Sequence, residues 1–220
     1  MGAREPDAVD GAARAGILGR VRAALRTARL PDEPEPPPTE SSLERASPQE
    51  WRARFVAELR AIGVTVHEEG SAGAVRTRVG ALLAGRSVLA WPARALPYEL
   101  GAALASHPPL DGSAGRAGQA ACEIGLTGVD AAIAETGTLA LVSSRDHPRT
   151  ASLLPPVHVA VVASGQIVPT LARGFERLGP AIPRASAVNL ITGPSRTADI
   201  ELELTLGVHG PRELVVVVGP

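Results

Sequence analysis

Three short segments gather the side chains of this chain that could do chemistry. The first is Thr127-Gly128-Val129-Asp130-Ala131-Ala132-Ile133-Ala134-Glu135-Thr136-Gly137-Thr138, where Glu135 and Thr136 precede a glycine. A carboxylate at such a turn can serve as base, nucleophile or ligand, or it can close local hydrogen bonds as a cap. Glu135 is the catalytic candidate, with Thr136, Gly137 and Thr138 as binding candidates. The second is Thr192-Gly193-Pro194-Ser195-Arg196-Thr197-Ala198-Asp199-Ile200-Glu201. A glycine turn, two hydroxyls and a guanidinium suit an oxyanion or phosphate, so Thr192, Gly193, Ser195, Arg196 and Thr197 are binding candidates. Asp199 is a further binding candidate: it orients Arg196, repels an anion if it points inward, or pairs with Arg196 as part of a structural turn. The third is Gly207-Val208-His209-Gly210-Pro211, in which flanking glycines let His209 approach a ligand closely. Arg149, in Arg149-Thr150-Ala151-Ser152-Leu153-Leu154-Pro155, adds a further cation beside hydroxyls.

The composition excludes several chemistries. All 22 permanent cations are arginines. Without lysine there is no Schiff base and no phosphate-loop lysine. The single cysteine, Cys122, provides neither an internal disulfide nor a cysteine-rich metal site, and it reads as a small core residue. The five histidines show no i, i+4 pair, so no metal site is expected. A net charge of -1 and 2% aromatic residues argue against nucleic-acid binding. No apolar run reaches the ~20 residues of a membrane span, and the N-terminus lacks the apolar stretch of a signal peptide. A cytoplasmic protein is expected.

The elements that must position these segments follow from periodicity. Ala12–Leu30 reads as an amphipathic helix, and Pro31–Pro48 as an extended Pro- and acid-rich linker. Ser47-Pro48-Gln49-Glu50 opens a helix that carries Trp51, Phe55, Leu59 and Ile62 on one stripe and ends at Gly63. Helices are expected at Ala72–Leu83, Tyr98–Ala105 and Val168–Leu178. Strands are expected at Val64–Glu68, Ser87–Trp91, Glu123–Thr127, Leu139–Ser143, Val157–Ala163, Ala187–Thr192 and Leu214–Val218, with a loop over His107–Gly118. Strands without polar alternation are buried on both faces. The expected fold is therefore α/β, an open, layered, mainly parallel sheet flanked by helices, with ligands at the carboxyl ends of its strands. The chain divides into a helical segment 1–30, a linker 31–48 and an α/β domain 49–220.

Taken together, "GLTGVDAAIAETGTLAL", "SLLPPVHVAVV", "ITGPSRTADIE" and "GVHGPREL" resemble the LUD domain family, that of the lactate utilization C proteins, as do "ILGRVRAAL" and the Pro-rich linker. The resemblance implies a fold similar to the NagB/RpiA/CoA-transferase group. It also implies a non-redox part in the oxidation of L-lactate to pyruvate, alongside iron–sulfur partner proteins, with no cofactor in this chain and a small anionic ligand at the segments above. The alternative is a stand-alone enzyme of CoA-transferase or sugar-phosphate type. In that reading Glu135 resembles the nucleophilic glutamate of CoA-transferases.

Overall fold

The computed structural model describes residues 7–28, 41–105, 109–111, 113–198, 204–206 and 209–220. In chain order the helices are α1 (Asp7–Thr27), α2 (Pro48–Ala61), α3 (Ala72–Leu83), α4 (Gly101–Ala105), α5 (Arg116–Ala120) and α6 (Leu171–Leu178). The strands are β1 (Thr65–Glu68), β2 (Val88–Ala90), β3 (Ile124–Thr127), β4 (Ala131–Ile133), β5 (Thr138–Ser143), β6 (Val157–Val162), β7 (Ile167–Val168), β8 (Ala187–Ile191), β9 (Arg196–Ala198), β10 (Leu204–Leu206) and β11 (Glu213–Val218).

The chain divides into two units, Met1–Thr39 and Glu40–Pro220. The first contains α1, which begins five residues earlier than the periodicity suggests. Most of the expected linker lies outside the described residues. Its end does not run free, however. Ser42–Arg45 forms a 3-10 turn capped by Ser41, and the Trp51 indole donates to Leu43 O at 2.7 Å. An aromatic donor in the next helix thus captures backbone that looked too polar to dock.

In the second unit, β1-β11-β6-β3-β2 form a five-stranded sheet in which every pairing is parallel. The run Val157–Val162 shows why: five of its six residues are buried, as a strand covered on both faces requires. Helix α2 packs near β1, and α3 near β11. Ser47 caps α2 through the reciprocal box the sequence announces, with Glu50 returning to the Ser47 amide at 2.7 Å. Phe55, Leu59, Val75, Val79 and Leu83 from these helices join Leu89, Leu126, Val161 and Val216 of the sheet in one core.

A second sheet, β7-β4-β5-β8, is mixed. Strands β4–β5 and β5–β8 pair antiparallel, and β4–β7 parallel. Helix α6 closes it with a small core of Ala131, Ile133, Ala140, Val142 and Leu178. The open α/β class holds, with helices flanking a mainly parallel arrangement.

Four local expectations change. Helix Tyr98–Ala105 is shortened to α4, because Tyr98 and Glu99 adopt left-handed φ of 64° and 52°. The expected helix Val168–Leu178 begins as β7, and only Leu171 onward is helical. The expected loop His107–Gly118 is partly ordered: Leu110 bridges β2, donating to Val88 O at 2.8 Å, and α5 follows. The "GVDAAIAETGT" stretch contains β4, which small alanines had hidden.

Candidate functional site

Two of the three motif segments meet at a cavity of about 210 Å³. Its walls are Leu190–Ser195, from the end of β8 onward, and His209–Pro211, just before β11. Ser152 and Leu153 close it from the turn that precedes β6, and His158 and Leu214 lie at its base. Of the expected binding residues, Thr192, Gly193, Ser195 and His209 are therefore brought together. The two segments are tied by backbone, with Ser195 N donating to Pro211 O at 2.9 Å.

The base follows from sheet register. Gly125, His158 and Leu214 stand side by side across β3, β6 and β11. A Cβ on Gly125 would stand 1.7 Å from Ala151 O, so the 3-10 turn Arg149–Ser152 rests directly on bare backbone. His158 is 1% exposed. Its Nε2 lies 2.8 Å from Thr127 Oγ1, and its Nδ1 is buried without a partner among the described residues. Burial lowers its pKa to about 4, so the ring is neutral at pH 7.

The site sits at the carboxyl end of β8, as expected for its loop, but at the amino ends of β6 and β11 of the parallel sheet rather than at their carboxyl ends. The physical reason is that β8, which leads into Thr192, belongs to the mixed sheet and pairs only with β5 there. It is an edge strand, with Leu190 43% exposed, rather than a buried one. At the carboxyl ends of β6 and β11 the protein is bonded to itself. Arg52 Nη1 reaches Ser164 Oγ and Gly219 O at 3.0 and 3.1 Å, and the Tyr98 hydroxyl donates to Pro220 O at 2.8 Å.

The remaining candidates take other posts. Thr136, Thr138 and Thr192 form a chain of hydroxyls with 2.7 Å steps, so the first motif reaches the cavity through Thr138. Gly137, at φ 64°, lets the chain pass α2, since a Cβ there would stand 2.9 Å from Leu59 N. Glu135 does not enter the cavity; its Oε1 accepts from Leu171 N at 2.6 Å, at the start of α6. Arg196 reaches back to the carboxyl end of α2, where Nη2 donates to Ile62 O at 2.7 Å. A guanidinium there satisfies a helix-terminal carbonyl and complements the helix dipole. Arg149 is exposed on the 3-10 turn, and its carbonyl accepts from Ser152 Oγ at 3.0 Å. Thr197 lies in β9, opposite Thr205. Asp199 lies outside the described residues.

Sequence reasoning noted Ser152 only as a hydroxyl beside Arg149, and it missed His158. A lone imidazole in the otherwise apolar Val157-His158-Val159-Ala160-Val161-Val162 was the available signal. The capping geometry yields a direct expectation for Glu135. Replacing it with Ala should cost about 1 kcal/mol in urea unfolding, and Gln, which still offers an oxygen, distinctly less. Unchanged stability in the alanine variant would show that α6 does not need this cap.

Among the described residues no group of three or more His, Cys, Asp or Glu is placed to hold a metal. None of the described helices is long and apolar enough to cross a membrane.

The LUD domain family model matches residues 52–218. The chain belongs to the LUD domain family. It is 42% identical over 94 residues to lactate utilization protein C of Bacillus subtilis, covering 40% of this chain and 38% of that protein. Over 162 residues it is 32% identical to lactate utilization protein C of Geobacillus thermodenitrificans, covering 67% of this chain and 68% of that one. The first alignment thus spans about two fifths of the Bacillus protein's length. A crystal structure of a DUF162 family protein from Deinococcus radiodurans superposes with a TM-score of 0.64 at 25% identity, covering 80% of this chain and 99% of that one. The motif segments that wall the cavity fall inside the LUD match.

Proposed function

We propose that this LUD protein is a non-redox component of L-lactate utilization, acting in the cytoplasm with iron–sulfur partner proteins that oxidise L-lactate to pyruvate. The observation that carries the reading is the cavity itself: segments far apart in a chain related to lactate utilization C proteins close on one small space. A single cysteine fits the assignment of the redox centres to partners. Glu135, engaged at the start of α6, gives the CoA-transferase-like alternative little support.

The cavity offers hydroxyls and His209 against leucine and proline walls, with no arginine among its described lining. It suits the uncharged part of a ligand. The small anion that belongs to this proposal would need its charge met by other residues.

The test is growth on L-lactate. Deleting the gene should abolish it, and the wild-type chain should restore it. Ser195→Phe, which fills the cavity, should fail to restore growth while keeping the wild-type circular dichroism spectrum. Full complementation by a folded Ser195→Phe protein would remove the cavity from the function. Growth of the deletion strain on L-lactate would remove the lactate reading altogether. Recovery of iron–sulfur proteins with the tagged chain tests the partner assignment.

A further inference from the structure

We infer that a separate groove, beside the segment leaving β3, binds a small 2-hydroxy or 2-oxo carboxylate, with Arg184 on the carboxylate and His147 on the neighbouring oxygen. The groove encloses about 250 Å³, and Asp130, Ser143, Ser144, His147 and Arg184 supply its polar lining.

The geometry begins with Asp130, which follows β3 after Gly128 and Val129. Its Oδ2 accepts from Val142 N at 2.7 Å, and its backbone carbonyl accepts from Arg177 Nε at 2.9 Å. The carboxylate is therefore fixed, and its Oδ1 stands 3.9 Å from His147 Nδ1. The His147 ring lies flat on Trp91, with centroids 4.0 Å apart and planes 7° apart. Trp91 is itself buried and donates from its indole to Pro148 O at 3.3 Å. The His147 amide donates to Ser144 Oγ at 3.1 Å. Plane and backbone are thus set from two directions, and Nδ1 faces the Asp130 carboxylate beyond hydrogen-bond distance. Nε2 is left with no partner among the described residues.

Arg184 lines the same groove, and its guanidinium has no partner among the described residues. A guanidinium fork matches a carboxylate in two parallel hydrogen bonds. An imidazole whose other nitrogen faces a carboxylate can accept a hydroxyl proton, or donate to a keto oxygen. A ligand with a carboxylate and an oxygen on the next carbon carries one partner for each of these two lining groups. Val142, Ala181 and Ala185 offer apolar surface for a short alkyl end. Asp130 is the one acid in the lining, and its charge is already engaged by the Val142 amide and faces His147.

This inference rests on the lactate-utilization reading only for the choice of probe. The experiment is calorimetry of the full chain with L-lactate, pyruvate, acetate and inorganic phosphate. L-lactate or pyruvate should bind at least ~10-fold more tightly than acetate, which lacks the second oxygen. Arg184→Gln should weaken that binding by ~10-fold or more, the scale of a charged hydrogen bond. His147→Asn should erase the preference over acetate, and Gly80→Ala, inside α3 where an added Cβ meets nothing within 4 Å, should change nothing. L-lactate binding that is indifferent to both Arg184→Gln and His147→Asn would overturn the proposal, as would tighter binding of phosphate. Failure of both hydroxy and keto acids to bind below ~10 mM would also overturn it. If that failure accompanies loss of lactate growth on gene deletion, only the groove assignment falls. If the acids bind but the deletion strain still grows, only the lactate reading falls.

Discussion

Gly125→Ala should destabilise the protein by about 3 kcal/mol or more, one of the largest losses available from a single methyl group. The new Cβ would stand 1.7 Å from Ala151 O, 2.9 Å from Ala151 C and 3.2 Å from Pro155 Cγ. Two of these atoms are backbone, so no rotamer change relieves the clash. Either the turn Arg149–Ser152 lifts from the sheet, or β3 is pushed away from β6. The first outcome also removes Ser152 from the cavity wall. For a body of this size the loss corresponds to a fall in Tm of roughly 6–12 °C. Gly80, inside α3, is the control, because a Cβ there meets nothing within 4 Å. Gly80→Ala should be neutral or stabilising by up to ~1 kcal/mol. A Gly125→Ala variant that loses less than ~1 kcal/mol would show that the turn does not depend on bare backbone beneath it.

His158 should give the protein a specific acid sensitivity. In the unfolded chain its imidazole takes a proton near pH 6.5, and in the folded protein only near 4. Between those values the unfolded state carries the extra proton, so stability falls as the pH falls. The slope approaches ~1.4 kcal/mol per pH unit, and the sum is roughly 3 kcal/mol by pH 4. Above pH 6.5 both states are neutral at this site and the contribution is complete. Carboxylates add their own acid dependence, so the measurement is a comparison. Urea unfolding of wild type and His158→Leu at pH 7 and pH 4.5 should show a shallower loss in the variant, whatever its stability at pH 7. Equal losses in the two proteins would mean that His158 is not held neutral in the fold.

Much of the fold was legible because local signals were strong. Ser47-Pro48-Gln49-Glu50 announces both the start of α2 and its cap, and Ala72–Leu83 is observed with the expected bounds. The valine runs of β6 and β11 declare strands buried on two faces. Strand β4 escaped because Ala131 and Ala132 carry no β preference, and its pairing with β5 and β7 is decided far from its own sequence. Tyr98 escaped because nothing in a tyrosine signals a left-handed backbone.

The site was legible as a set of segments but not as a set of roles. Thr192, Ser195 and His209 do converge. Glu135 and Arg196 drew attention as a carboxylate and a guanidinium near glycines, yet each serves a helix end. Spacing along a chain cannot show a partner such as Ile62, which lies 134 residues from Arg196. His158 and His147 passed as scattered histidines for the same reason. Their distinguishing neighbours, Thr127 and Trp91, come from other strands or the residues just after them.

The position of β11 between β1 and β6 has a consequence for how the protein is made. Thr65 finds its pairing partner only at Val215, about 150 residues later. At ~5–20 residues per second, β1 leaves the ribosome roughly 8–30 s before the strand that completes it. Through that interval the β11-facing edges of β1 and β6 stay open, because β11 is the strand that seats between them. Newly made chains should accordingly depend on chaperones more than the finished protein's stability would suggest, and slowing translation ahead of Glu213 should lengthen that exposure.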